Sequence, residues 1–202
     1  TIVIGAYGDN EDFFKVKGII EGLAEDFNLP PVKIFLEKTS PVGAGLGGGS
    51  TDAAFALKML NELCGLQLPE EKLAGYASRL GSDCAFFIYN RPMIGEGRGE
   101  ILNEYQICLE DYDIQVITPA GIAVSTKDAY AGIRPHLPEV PLREALARPV
   151  EAWDGVLMND FEETVFAKYP ALAAIKRSLY DSGAVYASMS GSGSALFAVY
   201  RK

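Results

Sequence analysis

The chain has 202 residues, of which 49% are hydrophobic and 22% are charged, and its formal net charge at pH 7 is −9. This composition is typical of a globular protein with one good core or two small domains, and no apolar run approaches the ~20 residues of a membrane span. The negative charge argues against nucleic acid as a general partner, because phosphate backbones are bound by basic surfaces.

The first half of the sequence is built around a glycine-rich loop. Residues 32 to 38 alternate apolar and polar side chains, which predicts a half-buried strand. The loop "PVGAGLGGGSTD" occupies residues 41 to 52 and leads into an amphipathic helix, for which we expect Ser50 or Thr51 as the N-cap and Gly65 as the stop. The apolar face of this helix consists of Ala53, Leu57, Leu60 and Cys64.

Three shorter elements follow the first helix. The stretch "PEEKLAGYASRLG" predicts a second helix that opens at Pro69 and closes at Gly81. The apolar run "CAFFIY" predicts a buried strand, and "RPMIGEGRGEIL" predicts a glycine-punctuated strand or hairpin.

From about residue 105 the alternation of strands and helices begins again. The stretch "DIQVITP" predicts a strand, "STKDAYAGI" a short capped helix, "PHLPEVP" a loop and "PLREALARP" a helix. Two more helices are predicted in "NDFEETVFAKY" and "PALAAIKRSLYDSG", the second with Pro170 at its first position and Gly183 after its end. Two strands, "AVYASMS" and "ALFAVY", are joined across "GSGS". We therefore predict an α+β fold with two lobes, residues 1–104 and 105–202.

The cysteines and the single histidine do not suggest a metal site. Cys64, Cys84 and Cys108 are odd in number and lack a C-x-x-C pair, so we expect buried free thiols in a cytoplasmic protein. Residues 1 to 20 contain acids and no apolar core of a signal peptide. His136 lies in a proline-rich loop, where we expect it to be solvated.

Two well-known phosphate-binding loops fit the glycine loop poorly. Gly43, Gly45 and Gly48 satisfy G-x-G-x-x-G, but the acids at the distance that a dinucleotide site needs open a helix, so an oxidoreductase is a remote alternative. The Walker loop aligns as well, yet its lysine position is Gly49. A glycine loop before a helix still aims several N–H groups and the helix dipole at one point, which suits a phosphate.

The motifs around this loop resemble those of a known family, the GHMP kinases. The stretch "PVGAGLGGGSTDAAFALKMLNEL" resembles the family's second motif, and "LGSDCAFFI" and "ASMSGSGSALFAVY" resemble two later ones. The segments "GEGRGEIL" and "PAGIAVSTKDAY" match further family segments, so the resemblance runs from about residue 30 to the end. It is strongest to the branch of 4-diphosphocytidyl-2-C-methyl-D-erythritol kinases, which serve the non-mevalonate isoprenoid pathway. The resemblance implies a ribosomal-protein-S5-like N-terminal lobe and a ferredoxin-like C-terminal lobe.

The resemblance implies a kinase that uses ATP and Mg²⁺ to phosphorylate the 2-hydroxyl of cytidine-diphosphate-linked methylerythritol. Asp83 matches the catalytic aspartate that takes the proton of the acceptor, and Lys38 matches a lysine near the adenine pocket. Asp52 is the rival carboxylate, which we expect in the first helical turn as a structural or magnesium-side acid. The positions that match the family's ATP-phosphate loop are Pro41, Gly43, Ala44, Gly45, Leu46, Gly47, Gly48, Gly49, Ser50 and Thr51.

Two further groups of residues match the family's acceptor site. Thr126 and Tyr130 are four apart on a predicted helix and share a face, although a helix cap and a core aromatic would explain them too. Gly191, Ser192 and Gly193 match the tight loop of the third motif, for which an ordinary hairpin turn is the alternative. The ligands of the metal are not indicated.

The sequence also departs from the family. Family chains begin with a Pro-x-Ala-Lys-Ile/Val-Asn strand and a "DGYH" block that holds cytosine, and neither occurs in these residues. We therefore expect a partial N-terminal lobe and poor turnover by these residues alone. Alternatives are a GHMP kinase for homoserine or a mevalonate derivative, and an inactive ATP-binding fragment. We expect a monomer or homodimer with a small-molecule partner.

Overall fold

The computed structural model describes residues 21–22, 24–29, 43–134 and 136–202. The strand predicted at residues 32–38 lies outside the described residues. The chain divides into two compact units: Gly43–Leu46 group with Ile107–Lys202, and Gly47–Gln106 belong to the other unit. The lobe boundary between residues 104 and 105 stays a prediction.

Between Gly47 and Gln106 the first unit contains three helices and a hairpin. They are α1 (Gly48–Leu63), α2 (Glu70–Ser78), α3 (Cys84–Tyr89), β1 (Met93–Glu96) and β2 (Ile101–Glu104). The two strands are antiparallel, with Met93 opposite Glu104, as predicted for a glycine-punctuated hairpin. The core of this unit is formed by Leu57 of α1, Ala77 of α2 and Ile88 of α3, each almost wholly buried.

The start of α1 differs from the prediction. The N-cap is Gly47, with a left-handed φ of 67°, and not Ser50 or Thr51. The Thr51 hydroxyl instead donates to the Gly47 carbonyl oxygen at 2.9 Å, so it lies inside the helix. Asp52 is consequently beyond the first turn, and the expectation that it lies there is wrong. The predicted stop is confirmed, since Gly65 follows the helix with a φ of 62°.

The run "CAFFIY" is a helix, α3, and the strand prediction is wrong. A short apolar run is ambiguous, because a buried strand and a buried helix segment have the same composition. Cys84, Ala85 and Ile88 are buried, which is the spacing of one helical face. Asn90 ends the helix in the left-handed conformation, with a φ of 49°.

The described part of the second unit combines a three-stranded sheet with four helices and a short 3-10 turn. The elements are β3 (Tyr112–Ile117), α4 (Thr126–Gly132), α5 (Leu142–Leu146), the 3-10 turn Val150–Ala152, α6 (Phe161–Lys168), α7 (Pro170–Asp181), β4 (Tyr186–Met189) and β5 (Leu196–Arg201). The sheet is antiparallel with the order β3-β5-β4, so the terminal strand lies in the middle. All the predicted helices and strands of this half are confirmed.

Two clusters form the core of the second unit. Leu172 and Leu179 of α7 pack with Ala187 and Ala198 of the sheet. In the second cluster the rings of Trp153 and Tyr186 meet edge to face, with centroids 5.5 Å apart. Burial raises the pKa of Tyr186 to about 12, and its hydroxyl donates to the Leu157 carbonyl oxygen at 2.9 Å.

The remaining expectations for the cysteines and the histidine are met in part. The three cysteines are free thiols, but only Cys84 is buried: Cys64 is half-buried, and Cys108 is exposed, which contradicts the expectation for that residue. His136 is an exposed loop residue, as predicted. Within the described ranges, no helix is long and apolar enough to cross a membrane.

Candidate functional site

The glycine loop places every second residue in the left-handed region of backbone conformation. Gly43, Gly45 and Gly47 have φ values of 69°, 73° and 67°. A residue with a Cβ pays roughly 1–2 kcal/mol in the left-handed conformation, so the alternating glycines fit this path. The loop therefore requires glycine at these three positions for its backbone shape, beyond any need for close contact with a ligand.

The loop ends at a helix terminus that offers backbone donors. The first intrahelical hydrogen bond of α1 runs from the Thr51 N–H to the Gly47 carbonyl oxygen at 2.8 Å. The N–H groups of Gly48, Gly49 and Ser50 precede it and have no acceptor in the helix ladder. Together with the partial positive charge of the helix end, these donors suit an anion.

The helix end is fixed by an aromatic ring of the same unit. A Cβ on Gly47 would lie 2.7 Å from Cζ of Phe87, so only glycine permits this packing. Phe87 lies on α3, four residues after Asp83, and the two share a side of that helix. The element that carries the candidate base therefore also packs against the start of α1.

Asp83 occupies the N-cap position of α3, but its side chain makes no capping hydrogen bond. The residue is exposed, and its Oδ1 lies 3.6 Å from the point where a Cβ on Gly99 would stand. Gly99 belongs to the turn between β1 and β2, so the carboxylate lies beside the glycine hairpin. Its exposure and lack of a capping bond leave the carboxylate accessible to a ligand.

In the second unit, the tip of the glycine loop rests against the turn between β4 and β5. The Ser190 hydroxyl donates to the Gly45 carbonyl oxygen at 2.8 Å, and the Ala195 N–H donates to the Ala44 carbonyl oxygen at 2.8 Å. A Cβ on Gly45 would lie 2.8 Å from the Gly193 carbonyl oxygen and closer still to that of Ser190. The backbones of the two segments therefore touch, and a side chain at position 45 would separate them.

The structure brings the third-motif turn and the candidate acceptor helix together. The hydroxyls of Thr126 and Ser192 are 3.3 Å apart. Tyr130 is 64% exposed, so it is not the core aromatic that the alternative explanation required. Its ring packs edge to face on Phe161, with centroids 4.9 Å apart, which leaves the hydroxyphenyl group accessible to a ligand.

An ion pair connects the candidate acceptor helix, α4, to α6. Lys168 lies 2.9 Å from Asp128 of α4, and this hydrogen bond and its charge lower the pKa of the Asp128 carboxyl below the ordinary value. The same pair raises the pKa of the Lys168 ammonium. Both groups are exposed, so the pair orients α4 more than it stabilises the fold.

The predicted residues fall into two described sets, and two residues cannot be placed. Lys38 and Pro41 lie outside the described residues. Residues 47–51 and Asp83 belong to the first unit. Gly43–Leu46, Thr126, Tyr130 and the turn of Gly191, Ser192 and Gly193 belong to the second.

The described residues contain no group of three or more acidic, cysteine or histidine side chains that would hold a metal ion. This is compatible with Mg²⁺, which commonly binds one or two carboxylates together with the phosphates of a nucleotide.

Sequence reasoning missed Asn159, Glu162 and Ser190. Asn159 immediately precedes the α6 region, and its Oδ1 accepts from the Phe161 N–H at 3.0 Å. The spacing of Asn159 and Glu162 is that of a helix-start signature, which is the one local signal that pointed to them. The bonds from Asn159 and Glu162 to the Ser188–Gly191 segment connect residues that are distant in sequence. No local pattern indicates such bonds.

Comparison with known proteins identifies relatives over almost the whole chain. The family model described as "GHMP kinases N terminal domain" matches residues 15–91, and "GHMP kinases C terminal" matches residues 142–202. A 4-diphosphocytidyl-2-C-methyl-D-erythritol kinase of Bacteroides fragilis is 50% identical over 88% of this chain, and one of Bacteroides thetaiotaomicron is 49% identical over 96%. The chain spans 65% of the length of the first relative and 70% of the second.

A solved structure supports the same relationship. The crystal structure of a 4-(cytidine 5'-diphospho)-2C-methyl-D-erythritol kinase matches with a TM-score of 0.75 and 28% identity. The match covers 98% of this chain and 74% of the other. The predicted α+β fold, with its N- and C-terminal family domains, is therefore confirmed.

The crowding at Gly45 predicts a difference between two glycines that share a left-handed φ. A Cβ on Gly43 would meet no atom within 4 Å, whereas one on Gly45 would press into the β4–β5 turn. We expect Gly43→Ala to lower the free energy of unfolding by about 1–2 kcal/mol, the cost of the left-handed conformation alone. Gly45→Ala should cost more and should also weaken ATP binding, as measured by denaturant unfolding and calorimetric titration. Equal effects of the two substitutions would contradict the packing described here.

Proposed function

Because the chain belongs to the GHMP kinases, we propose that it transfers the γ-phosphate of ATP to the 2-hydroxyl of 4-(cytidine 5'-diphospho)-2-C-methyl-D-erythritol. The observation that carries this proposal is the alternating-glycine loop at the start of α1, in a chain about half identical to kinases named for this acceptor. The 28% identity to a solved kinase of the same name adds support.

The phosphates of ATP bind at the glycine loop in this proposal. The N–H groups of Gly48, Gly49 and Ser50, with the helix end behind them, face the negative charge. The Walker lysine position is Gly49, so backbone donors replace a side-chain cation there. Pro41 begins the loop, Thr51 extends the site into the first turns of α1, and Lys38 contributes near the adenine.

Mg²⁺ bound to the nucleotide supplies positive charge to the γ-phosphate. Asp83 accepts the proton of the acceptor hydroxyl as the oxygen forms its bond to the γ-phosphorus. The bond between the γ-phosphorus and the oxygen that bridges to the β-phosphate breaks, and ADP leaves with that oxygen. An alcohol is a poor nucleophile until its proton has an acceptor, and the exposed carboxylate of Asp83 provides one.

The acceptor lies against α4 and the β4–β5 turn in this proposal. Thr126 and Ser192 offer two hydroxyls in mutual contact, and Tyr130 offers an exposed ring and hydroxyl. The turn at Gly191 and Gly193 lets the backbone approach the ligand closely. The partner is therefore a small molecule, and we place the protein in the cytoplasm as a monomer or homodimer.

An acceptor panel tests the function directly. The full-length protein is assayed for ADP release with cytidine-diphosphate-linked methylerythritol, homoserine and mevalonate as separate acceptors, because we expect poor turnover by these 202 residues alone. We expect release only with the first, because the relatives that cover most of this chain are named for it. Release with another acceptor would reassign the substrate, and calorimetric ATP binding without any turnover would indicate an inactive nucleotide-binding module.

The role of Asp83 predicts the effect of Asp83→Asn in the full-length protein. Loss of a general base lowers the rate by about 10²–10⁴-fold, and we expect kcat to fall by that factor while the KM for ATP stays close to the original. The matched control is Asp181→Asn, since Asp181 is an exposed aspartate at the end of α7. A fall in kcat of less than about tenfold would remove Asp83 from the role of base. A rise in the KM for ATP alone would place it in the phosphate site.

A further inference from the structure

Asn159 donates two hydrogen bonds to the turn that holds the glycine loop. Its Nδ2 lies 2.7 Å from the Met189 carbonyl oxygen and 2.8 Å from that of Gly191. These two carbonyls flank Ser190, whose hydroxyl donates to the Gly45 carbonyl oxygen. The side-chain amide of Asn159 is thus hydrogen-bonded to both neighbours of Ser190, the residue that contacts Gly45.

A second side chain holds the same segment from the strand side. Oε1 of Glu162 accepts from the Met189 N–H at 2.7 Å and from the Ser188 hydroxyl at 3.0 Å. Lys176 pairs with the other oxygen of Glu162, and the Glu162 side chain is only 14% exposed. The N–H and the carbonyl oxygen of Met189 are therefore both hydrogen-bonded to side chains of residues 159–162. These bonds fix the end of strand β4.

The same segment also supports the candidate acceptor helix. Phe161 of α6 packs on Tyr130, and a Cβ on Gly132 would lie 2.9 Å from Cβ of Thr164. Lys168 forms the ion pair with Asp128. The stretch from Asn159 to Lys168 is thus in contact with both the β4–β5 turn and α4.

We propose that Asn159 is a positioning residue for nucleotide binding: its amide fixes the Met189–Gly191 segment so that Ser190 holds Gly45 in the conformation that binds phosphate. The nucleotide part of this inference rests on the proposed function. Asn159 touches no reacting group in this proposal and acts through Ser190. A side chain without donors at position 159 would leave the carbonyl oxygens of Met189 and Gly191 without this shared hydrogen-bond donor.

The test substitution is Asn159→Asp, which keeps the side-chain shape and the acceptor for the Phe161 N–H but removes both donors. Removal of one partner of a half-buried hydrogen bond changes an equilibrium by about tenfold. We expect hydrogen exchange at the Gly193 and Ala195 amides to accelerate by at least that factor. We expect the Kd for a non-hydrolysable ATP analogue with Mg²⁺ to rise about tenfold as well.

The matched control is Asn61→Asp. Asn61 lies in the last turns of α1, and its side chain donates to the Leu68 carbonyl oxygen at 3.2 Å and accepts from the Leu68 N–H at 2.9 Å. This variant loses the same kind of donor and should lower stability without changing the Kd for the analogue or the exchange of Gly193 and Ala195. A change in Kd that follows stability in both variants would mean that Asn159 has only a structural role.

Two outcomes overturn the proposal. If the hydrogen-exchange rates of the Gly193 and Ala195 amides stay within twofold of those in the original protein, the Asn159 amide does not fix the turn. This conclusion holds whether or not nucleotide binding changes. Faster exchange with an unchanged Kd would show that the turn does not matter for the nucleotide. If Asn159→Asp does not fold, Ser190→Ala removes only the direct bond to Gly45 and is held to the same Kd criterion. Failure of the original protein to bind the analogue would instead refute the proposed function, and the exchange data would still decide the role of Asn159 in the turn.

Discussion

The approach of two backbones at Gly45 is the constraint on which the rest of the candidate site depends. No side chain fits between this residue and the Ser190–Gly193 turn, and the Ser190 hydroxyl then bonds to its carbonyl oxygen. Two residues later, the ring of Phe87 occupies the space that a Cβ on Gly47 would need. Contacts with neighbouring segments therefore determine the shape of the loop at both points. Packing is thus a reason for glycine at positions 45 and 47 in addition to any contact with a ligand.

This shape determines what chemistry the loop can perform. In the proposed site, a loop with Gly49 at the Walker lysine position binds phosphate with N–H groups and a helix end, which orient an anion but supply little net charge. These 202 residues carry a formal net charge of −9, so the proposal assigns the neutralisation of a bound nucleotide to Mg²⁺ and to nearby cations. In such a site phosphoryl transfer depends on positioning, and rigid support of the loop becomes part of the catalytic apparatus.

The sequence predicted elements well wherever a local signal was sufficient. Pro170 and Gly183 bracketed α7, the stretch "DIQVITP" predicted β3, and the amphipathic pattern after the glycine loop predicted α1. The run "CAFFIY" was mistaken for a strand because its six apolar residues have no period that separates the two structures. The N-cap of α1 was misplaced because hydroxyl residues usually cap helices, whereas a left-handed glycine does so here. The bonds of Asn159 and Glu162 to the Ser188–Gly191 segment could not be found from a local pattern, because these partners lie 26 to 32 residues away along the chain.

The central claim is that the backbone N–H groups at the start of α1 bind the phosphates of ATP. It is tested most directly by titrating ¹⁵N-labelled protein with ATP and Mg²⁺ and following the amide signals of Gly48, Gly49 and Ser50. The account predicts large, saturable shifts of these three signals, with little change at Gly155 and Gly183, two turn glycines that have no part in the proposed site. Saturable binding that leaves the signals of Gly48, Gly49 and Ser50 in place would contradict it.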